Sequence, residues 1–184
     1  IEQVGIHRQP APRRYVKILK RVEVTRGDAT AVIEPAHTLQ LDVTIDFEEE
    51  AIGRQRLEIE PDVRSFRDHL AGARTFARTH EVAALRAAGL SKGGSLDNAI
   101  VVDGDKVLNP EGLRFTDEFV RHKALDLMGD IYLGGPIIGR VTTICGGHGL
   151  NHELLTALFA DPHAWSFVNM RAEFEADELD LILA

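Results

Sequence analysis

The stretch RHKALDLMGDIYLGGP, residues Arg121–Pro136, lies in the longest helical pattern of the chain. The pattern predicts a helix from about Asp117 to Leu133, because two glycines and Pro136 follow as a stop signal. His122, Asp126 and Asp130 recur every four residues, so they share one stripe of this helix. Apolar residues occupy the neighbouring positions: Phe119, Leu125, Met128, Ile131 and Tyr132. The polar stripe therefore borders the packed side of the helix.

Alternating apolar and polar residues predict strands before this helix. The predicted strands are Tyr15–Thr25, Ala29–Glu34, Leu39–Phe47 and Gln55–Glu60. Arg26-Gly27-Asp28 is typical of a hairpin turn between the first two.

Shorter elements are predicted around the long helix. They are a helix at Val63–Leu70 capped by Asp62, an extended segment at Ala73–Phe76, a helix at His80–Ala88, strands at Ala99–Asp103 and Ile137–Ile144, and a helix at Asn151–Ala160. Because strands come first and long helices later, the order favours an α+β fold. We expect a two-layer sandwich, with a mostly antiparallel sheet packed on long helices and a small β-α-β insertion at about residues 73–103.

Composition excludes some functions. The formal net charge of −8 argues against general nucleic-acid binding, because a phosphate backbone would be repelled. The one local basic cluster, Arg13–Arg21, is more typical of a strand with a solvated charged face than of a binding patch. With 184 residues, the chain is long enough for one domain with its own core.

The single cysteine, Cys145, excludes an intrachain disulfide and suits a reducing compartment. No apolar run approaches the length of a membrane span, so we expect a soluble, cytoplasmic protein with no transmembrane segment. The chain has no initiating methionine and opens within a pattern, which predicts that it is a piece of a longer protein.

His122 and Asp126 allow two interpretations. From spacing alone, an ordinary ion pair on a helix surface is the more common outcome. The alternative is a pair of zinc ligands, because imidazole and carboxylate both suit Zn²⁺ and four-residue spacing brings them to one ion. A catalytic zinc ion needs a third protein ligand, which this helix lacks.

The run GGHGLNHELL, Gly146–Leu155, places His148 on a predicted glycine-flanked turn before a helix. Taken alone, His148 is most simply a turn or cap residue. A histidine close to a metal can also act as an acid or a positive stabiliser if a carboxylate holds its other nitrogen. Asp130 is the candidate for that carboxylate.

Four runs follow one another along the chain: ARTF, GLSKGGSLDNAIVVD, VLNPEGLRFTDEFVRHKALDLMGDIYL and GGHGLNHELLTALFA. Together, from about Ala73 to Ala160, they resemble the UDP-3-O-acyl-N-acetylglucosamine deacetylases. These are zinc enzymes of bacterial lipid A biosynthesis and hence of Gram-negative outer membrane biogenesis. Weaker similarity extends back to about Tyr15. The combination of HKxxDxxGD with GGSLDNAIVVD is far more specific than a short motif.

The resemblance implies roles for the polar stripe and its surroundings. His122 and Asp126 match two ligands of the family's Zn²⁺. His148 matches the catalytic histidine, a general acid or electrostatic stabiliser, and Asp130 matches the aspartate that orients it. Lys123 matches a lysine that contacts the substrate diphosphate.

Residues before the long helix also match. Thr75 corresponds to the threonine whose hydroxyl helps to bind the oxyanion, and Phe76 lines the substrate cleft. The segment Thr79–Asn98 matches the insertion that forms the passage for the fatty acyl chain. The chemistry implied is hydrolysis of the acetamide by a zinc-activated water.

The chain resembles only the family's second domain. The first domain supplies the remaining zinc histidine and a glutamate general base, and His37 and His80 lie in the wrong context to replace that histidine. We therefore expect residues 1–184 to form one domain whose partner is the missing N-terminal domain, and we expect the isolated chain to be inactive.

Two departures from the family pattern stand out. Ala77 and Arg78 replace a glycine and an aromatic residue, so packing on the acyl or sugar part of the substrate is expected to differ. Cys145 replaces a lysine, so one phosphate contact is either missing or supplied by Arg140 or Lys92. A thiolate ligand at Cys145 is disfavoured, because a His/Asp zinc site does not require one.

Two rival functions remain at this stage. One is a non-catalytic module that binds an acylated nucleotide sugar or a protein partner. The other is a zinc amidase acting on a different acetylated sugar. The presence of His122, Asp126, Asp130 and His148 together favours the deacetylase, because a pure binder has no need of all four.

Overall fold

A computed structural model describes residues 11–89 and 93–170 of the chain. Within them, ten strands and four α-helices form an α+β fold, as predicted. None of the helices in this part of the chain is long and apolar enough to cross a membrane.

Among the described residues, seven strands form the main sheet. They are β1 (Arg13–Ile18), β2 (Val22–Arg26), β3 (Ala29–Glu34), β4 (Leu39–Asp46), β5 (Arg54–Ile59), β9 (Ile137–Ile144) and β10 (Trp165–Met170). Strand β9 pairs antiparallel with β3 and parallel with both β1 and β4. The remaining pairs of this sheet, β1 with β10, β2 with β3 and β4 with β5, are antiparallel.

Two long helices cover one face of this sheet. Helix α3 (Glu118–Ile131) packs on β4 and β5, and helix α4 (His148–Ala160) packs on β2 and β3. The core lies between the helices and the sheet, where Leu41, Val43 and Ile45 of β4 are almost fully buried. Because successive side chains of a strand point to opposite faces of the sheet, these three alternate residues all face the helices.

A second, three-stranded sheet forms the small insertion. Strand β6 (Thr75–Arg78) leads into helix α2 (Thr79–Ala87), and β7 (Ala99–Asp103) returns parallel to β6. Strand β8 (Lys106–Val107) pairs antiparallel with β7. This is the β-α-β unit expected from the sequence.

The helix ends follow local chemistry. Asp62 caps α1 (Val63–Ser65), accepting a 2.7 Å hydrogen bond from the Ser65 amide, and a π-helical segment, Phe66–Leu70, continues it. A 3₁₀ turn, Tyr132–Gly134, follows α3, and Gly135 then takes a positive φ of 95°. The predicted cap and the predicted glycine stop are therefore both confirmed.

Several elements differ from those predicted from the sequence. The single strand Tyr15–Thr25 is wrong, because the chain leaves the sheet at 19–21, where the Leu19 and Lys20 amides both donate to the Ala164 carbonyl. Strand β10 was not predicted, since it lies in a tail that looked polar apart from Phe167 and Leu179–Leu183, the latter outside the described residues. Strand β8, which is only two residues long, was not predicted either.

A further difference concerns α4, which begins at His148 rather than at Asn151. Gly149 weakened the helical pattern because glycine is a poor helix former. In the structure this glycine leaves room for a guanidinium group, since a β-carbon there would lie 3.1 Å from Arg26 Nη1. Arg26 also pairs with Glu153 of α4. The tertiary contact therefore stabilises a first turn that local propensity disfavours.

Gly139 provides a test of the packing around β9. A β-carbon at this position would lie 2.5 Å from Ile18 Cγ1 and 3.1 Å from the Glu34 carbonyl oxygen. We expect Gly139→Ala to lower the free energy of unfolding by about 1–3 kcal/mol, the usual cost of overpacking. Urea unfolding followed by circular dichroism measures this change.

Gly129→Ala is the matched control. Its β-carbon would meet no atom within 4 Å, and it lies inside α3. Alanine there should leave stability unchanged or raise it by up to about 1 kcal/mol. Equal unfolding midpoints for the two variants would contradict the assigned packing.

Candidate active site

Helix α3 brings His122 and Asp126 together on its polar stripe. His122 Nε2 lies 3.3 Å from Asp126 Oδ1, and both side chains are largely buried. Lys123 donates to the other carboxylate oxygen of Asp126 at 2.8 Å. The structure therefore places a neutral or cationic ring, a carboxylate and an ammonium group within one turn of helix.

The surroundings of His122 favour its neutral form. Burial lowers the pKa of His122, and the Asp126 carboxylate opposes that shift only in part. His122 Nδ1 lies 3.4 Å from the Ala73 carbonyl oxygen, which can only accept, so the proton is assigned to Nδ1. Nε2 is then left with its lone pair directed at Asp126.

This arrangement fits a divalent cation. A neutral imidazole nitrogen and a carboxylate oxygen face each other without a hydrogen between them, and both are donor types that suit Zn²⁺. The Ala73 carbonyl supplies the outer hydrogen bond that commonly fixes a metal-binding histidine. Within residues 11–89 and 93–170, no group of three or more His, Cys, Asp or Glu side chains is arranged to hold a metal.

His148 is the first residue of α4 and lies beside the His122–Asp126 pair. Its Nδ1 is 2.8 Å from Asp130 Oδ2 and 3.0 Å from Oδ1, so the carboxylate holds this nitrogen closely. Its Nε2 lies 3.9 Å from Asp126 Oδ2. The two predicted pairs, His122 with Asp126 and His148 with Asp130, therefore adjoin each other.

Two further side chains of α4 approach Asp130. Asn151 donates from Nδ2 to Asp130 Oδ2 at 2.8 Å. His152 Nε2 lies 3.8 Å from Asp130 Oδ1. Asp130 is thus a shared acceptor at the boundary between α3 and α4.

The segment before β6 is tied to α3 by a buried ion pair. Arg74 is 3% exposed and Glu118 is fully buried, and the guanidinium donates to both carboxylate oxygens, at 2.9 and 3.2 Å. The Arg74 and Arg114 amides also donate to this carboxylate, at 3.0 and 2.6 Å. These bonds hold the Ala73 carbonyl against His122.

Thr75 and Phe76 follow directly from this anchor. Thr75 is exposed at the start of β6, so its hydroxyl is accessible from solvent. The Phe76 ring lies edge-on to three neighbours, Phe47, Phe119 and the His122 imidazole, at centroid distances of 5.5, 5.1 and 6.3 Å. Phe76 therefore forms an apolar wall beside His122.

The structure shows the surroundings of Arg78 and Cys145, two of the residues that depart from the family pattern. Arg78 pairs with Glu81 and Glu49, and its guanidinium lies 5.9 Å from the centroid of the Phe47 ring. These contacts hold the pKa of Glu81 at about 2, chiefly through the hydrogen bond from Arg78. Cys145 is exposed after β9 with a positive φ of 51°.

Arg140 lies on the wrong side of the sheet to supply a phosphate contact. It alternates with the core-facing residues of β9 and pairs with Asp42 and Glu58, on the sheet face away from the helices. That expectation is therefore wrong. The other candidate, Lys92, lies outside the described residues.

Sequence reasoning missed Arg74, Glu118 and Asn151. A glutamate in the first turn of a helix is usually a surface residue, and Arg74 lies 44 positions away, so no local pattern connects them. Asn151 could have been found on a helical wheel, three residues after His148, had the helix been started at His148.

Comparison with known proteins gives a consistent family. A family model described as UDP-3-O-acyl N-acetylglycosamine deacetylase matches residues 1–160. A UDP-3-O-acyl-N-acetylglucosamine deacetylase of Phenylobacterium zucineum (strain HLK1) is 52% identical over 166 residues, which are 90% of this chain and 57% of that protein.

Proteins of the same name in two other bacteria are also similar. That of Myxococcus xanthus (strain DK1622) is 44% identical over 93% of this chain and 55% of its own length. That of Anaeromyxobacter sp. (strain Fw109-5) is 42% identical over 94% of this chain and 57% of its own length. The chain thus spans about half the length of the curated relatives it matches.

The Arg74–Glu118 pair gives a testable stability effect. Burial would raise the pKa of Glu118, but hydrogen bonds from the Arg74 side chain and from the Arg74 and Arg114 amides lower it overall. We expect Glu118→Gln to reduce the free energy of unfolding at pH 7 by about 3–5 kcal/mol, because it leaves a buried guanidinium without its main counter-charge. Urea unfolding at a series of pH values measures it.

The pH dependence has a definite sign. The folded-state pKa of Glu118 lies below the unfolded value, so its stabilisation is present above about pH 4.3 and is lost as pH falls through the acidic range below it. The difference between wild type and Glu118→Gln should therefore shrink on acidification. Asp46→Asn, which removes an exposed partner of Arg54, should cost less than about 1 kcal/mol. A similar loss in both variants would contradict the assignment.

Proposed function

Because the chain belongs to the UDP-3-O-acyl N-acetylglycosamine deacetylase family, we propose that it provides one part of a zinc-dependent active site for UDP-3-O-acyl-N-acetylglucosamine. The reaction is hydrolysis of the N-acetyl amide, in lipid A biosynthesis in the cytoplasm. The single observation that supports it most is the adjacency of the His122–Asp126 and His148–Asp130 pairs.

In this proposal His122 and Asp126 hold the zinc ion. The hydrogen bond from His122 Nδ1 to Ala73 keeps Nε2 unprotonated, which is the form that a ligand must have. When bound, zinc supplies Lewis-acid polarisation of the amide carbonyl and acidification of a water molecule. Lys123, which donates to Asp126, would contact the substrate diphosphate.

His148 supplies positive charge or a proton at the reacting amide. Since Asp130 engages Nδ1, the ring presents Nε2 toward the Asp126 side of the site. An imidazolium held in this way stabilises a developing negative charge, or protonates the departing amine from Nε2. The Nδ1 proton stays on the ring throughout the reaction, hydrogen-bonded to the Asp130 carboxylate.

Thr75 and Phe76 complete the part of the site carried by this chain. The exposed Thr75 hydroxyl can donate a hydrogen bond to the oxyanion that forms when the amide carbonyl is attacked. The Phe76 ring beside His122 excludes water from one side of the reacting group. The insertion formed by β6, α2 and β7 would line the acyl chain.

The remaining ligand and the general base come from a second region in this proposal. The relatives are nearly twice as long as the part that this chain matches, so they contain a region that could supply both groups. That region, acting as the partner N-terminal domain, would place a histidine opposite Asp126. The chain then contributes two of three zinc ligands.

The isolated chain is expected to bind Zn²⁺ weakly and to hydrolyse no substrate, because two protein ligands make an incomplete site. Isothermal titration with zinc and an assay for released acetate measure both properties. One tightly bound zinc per chain together with turnover would contradict the division of the site between two regions.

Replacement of His122 separates the enzyme from a binding module. In the intact protein that contains this chain, His122→Ala should remove bound zinc and lower kcat/KM by about 100-fold or more, because the metal stabilises the charge of the transition state. Metal content by mass spectrometry and acetate release are the measurements.

His163→Ala is the matched control, since His163 lies in the exposed turn after α4. It should leave zinc content and turnover unchanged. If His122→Ala keeps full binding of the acylated nucleotide sugar while neither variant nor wild type shows any hydrolysis, the chain is part of a binding module.

A further inference from the structure

We infer that Asn151 is a positioning residue that directs the Asp130 carboxylate to His148 and away from His152. This inference rests on the proposed function for its catalytic consequence, but its geometry stands on the structure alone. It adds a fifth polar side chain to the two histidine–aspartate pairs that the sequence singled out.

Asn151 lies next to the His148–Asp130 pair. It is three residues after His148 in α4, so both side chains point from the same side of that helix toward α3. Its Nδ2 and His148 Nδ1 each lie 2.8 Å from the same atom, Asp130 Oδ2. The amide is assigned with its NH₂ toward Asp130, because a carboxylate only accepts hydrogen bonds.

The burial of Asn151 argues against a purely structural role. Its side chain is 3% exposed, and its Oδ1 is buried with no hydrogen-bond partner among the described residues. An unpaired buried carbonyl costs free energy, so an apolar residue of similar size would stabilise the fold at least as well. What an amide provides here, and an apolar residue would not, is the N–H donated to Asp130.

A competitor for the carboxylate lies on the same helix. His152 is four residues after His148, and its Nε2 is 3.8 Å from Asp130 Oδ1. Rotation of the carboxylate about its terminal torsion would bring it to His152 and weaken its bonds to His148. The hydrogen bond from Asn151 to Oδ2 opposes this rotation, so His148 keeps both of its contacts.

The first experiment determines the position of the proton on the His148 ring. Long-range ¹H–¹⁵N NMR on the metal-free protein, recorded over a series of pH values, reports which nitrogen of the neutral His148 ring carries the proton. Wild type should show the Nδ1–H form, because that nitrogen lies 2.8 Å from Asp130 Oδ2 and a carboxylate can only accept. Asn151→Ala and the isosteric Asn151→Asp should both show a mixture of the two forms.

The second experiment measures the consequence in the intact protein with UDP-3-O-acyl-N-acetylglucosamine. Loss of an outer hydrogen-bond partner commonly costs ~10- to ~100-fold in activity, so both Asn151 variants should lower kcat by that factor. KM should change by less than about twofold, since Asn151 touches Asp130 and not the substrate in this proposal. Asn151→Asp keeps the side-chain shape, so an equal loss there assigns the effect to the donor.

Leu154→Ala is the control for lost stability. Leu154 is fully buried in the same helix, and its truncation creates a cavity in the core. Assayed below its unfolding temperature, this variant should keep the kcat and the His148 proton position of wild type. A parallel loss of kcat in Leu154→Ala and Asn151→Ala would overturn the inference.

The outcomes separate the two proposals. If wild type hydrolyses the substrate but both Asn151 variants keep its kcat and its Nδ1–H form, the positioning inference is wrong and the proposed function stands. If wild type hydrolyses nothing while the Asn151 variants shift the His148 proton, the proposed function is wrong and the positioning inference stands.

Discussion

The ion pair between Arg74 and Glu118 is the contact on which the geometry of the site depends. It joins the segment before β6 to the first turn of α3, and almost no water reaches it. Both charges are costly to bury, and several hydrogen bonds compensate them together. A shift of this anchor would move the Ala73 carbonyl away from His122, and Thr75 and Phe76 with it.

The pair also explains why the insertion has a fixed orientation. The three-stranded sheet is small and pairs with no strand of the main sheet among the described residues. Side-chain contacts, among them this ion pair and the edge-on contacts of the Phe76 ring, therefore contribute strongly to its position relative to α3. Polar anchoring is directional, whereas apolar packing alone would allow the two sheets to slide.

A second constraint operates where α3 meets α4. Asp130 belongs to one helix, while His148, Asn151 and His152 belong to the other, so this carboxylate meets three polar side chains across the boundary. The first turn of α4 lacks a capping side chain at Gly147. The hydrogen bond from Asn151 to Asp130, and the pair that Glu153 of the next turn forms with Arg26, hold the start of this helix in place instead.

The spacing of apolar and polar residues, together with the positions of glycine and proline, by itself determined three features. They are the fold class, the strands β3, β7 and β9 with their boundaries, and the stripe of His122, Asp126 and Asp130. These features depend on residues close together in the chain, where sterics and burial leave a regular pattern. Only the tertiary structure decided the start of α4, the edge strand β10, and the roles of Arg74, Glu118 and Asn151. The reason is that contacts between residues far apart in the chain stabilise these features against local preference. Such contacts produce no regular spacing of residues in the sequence.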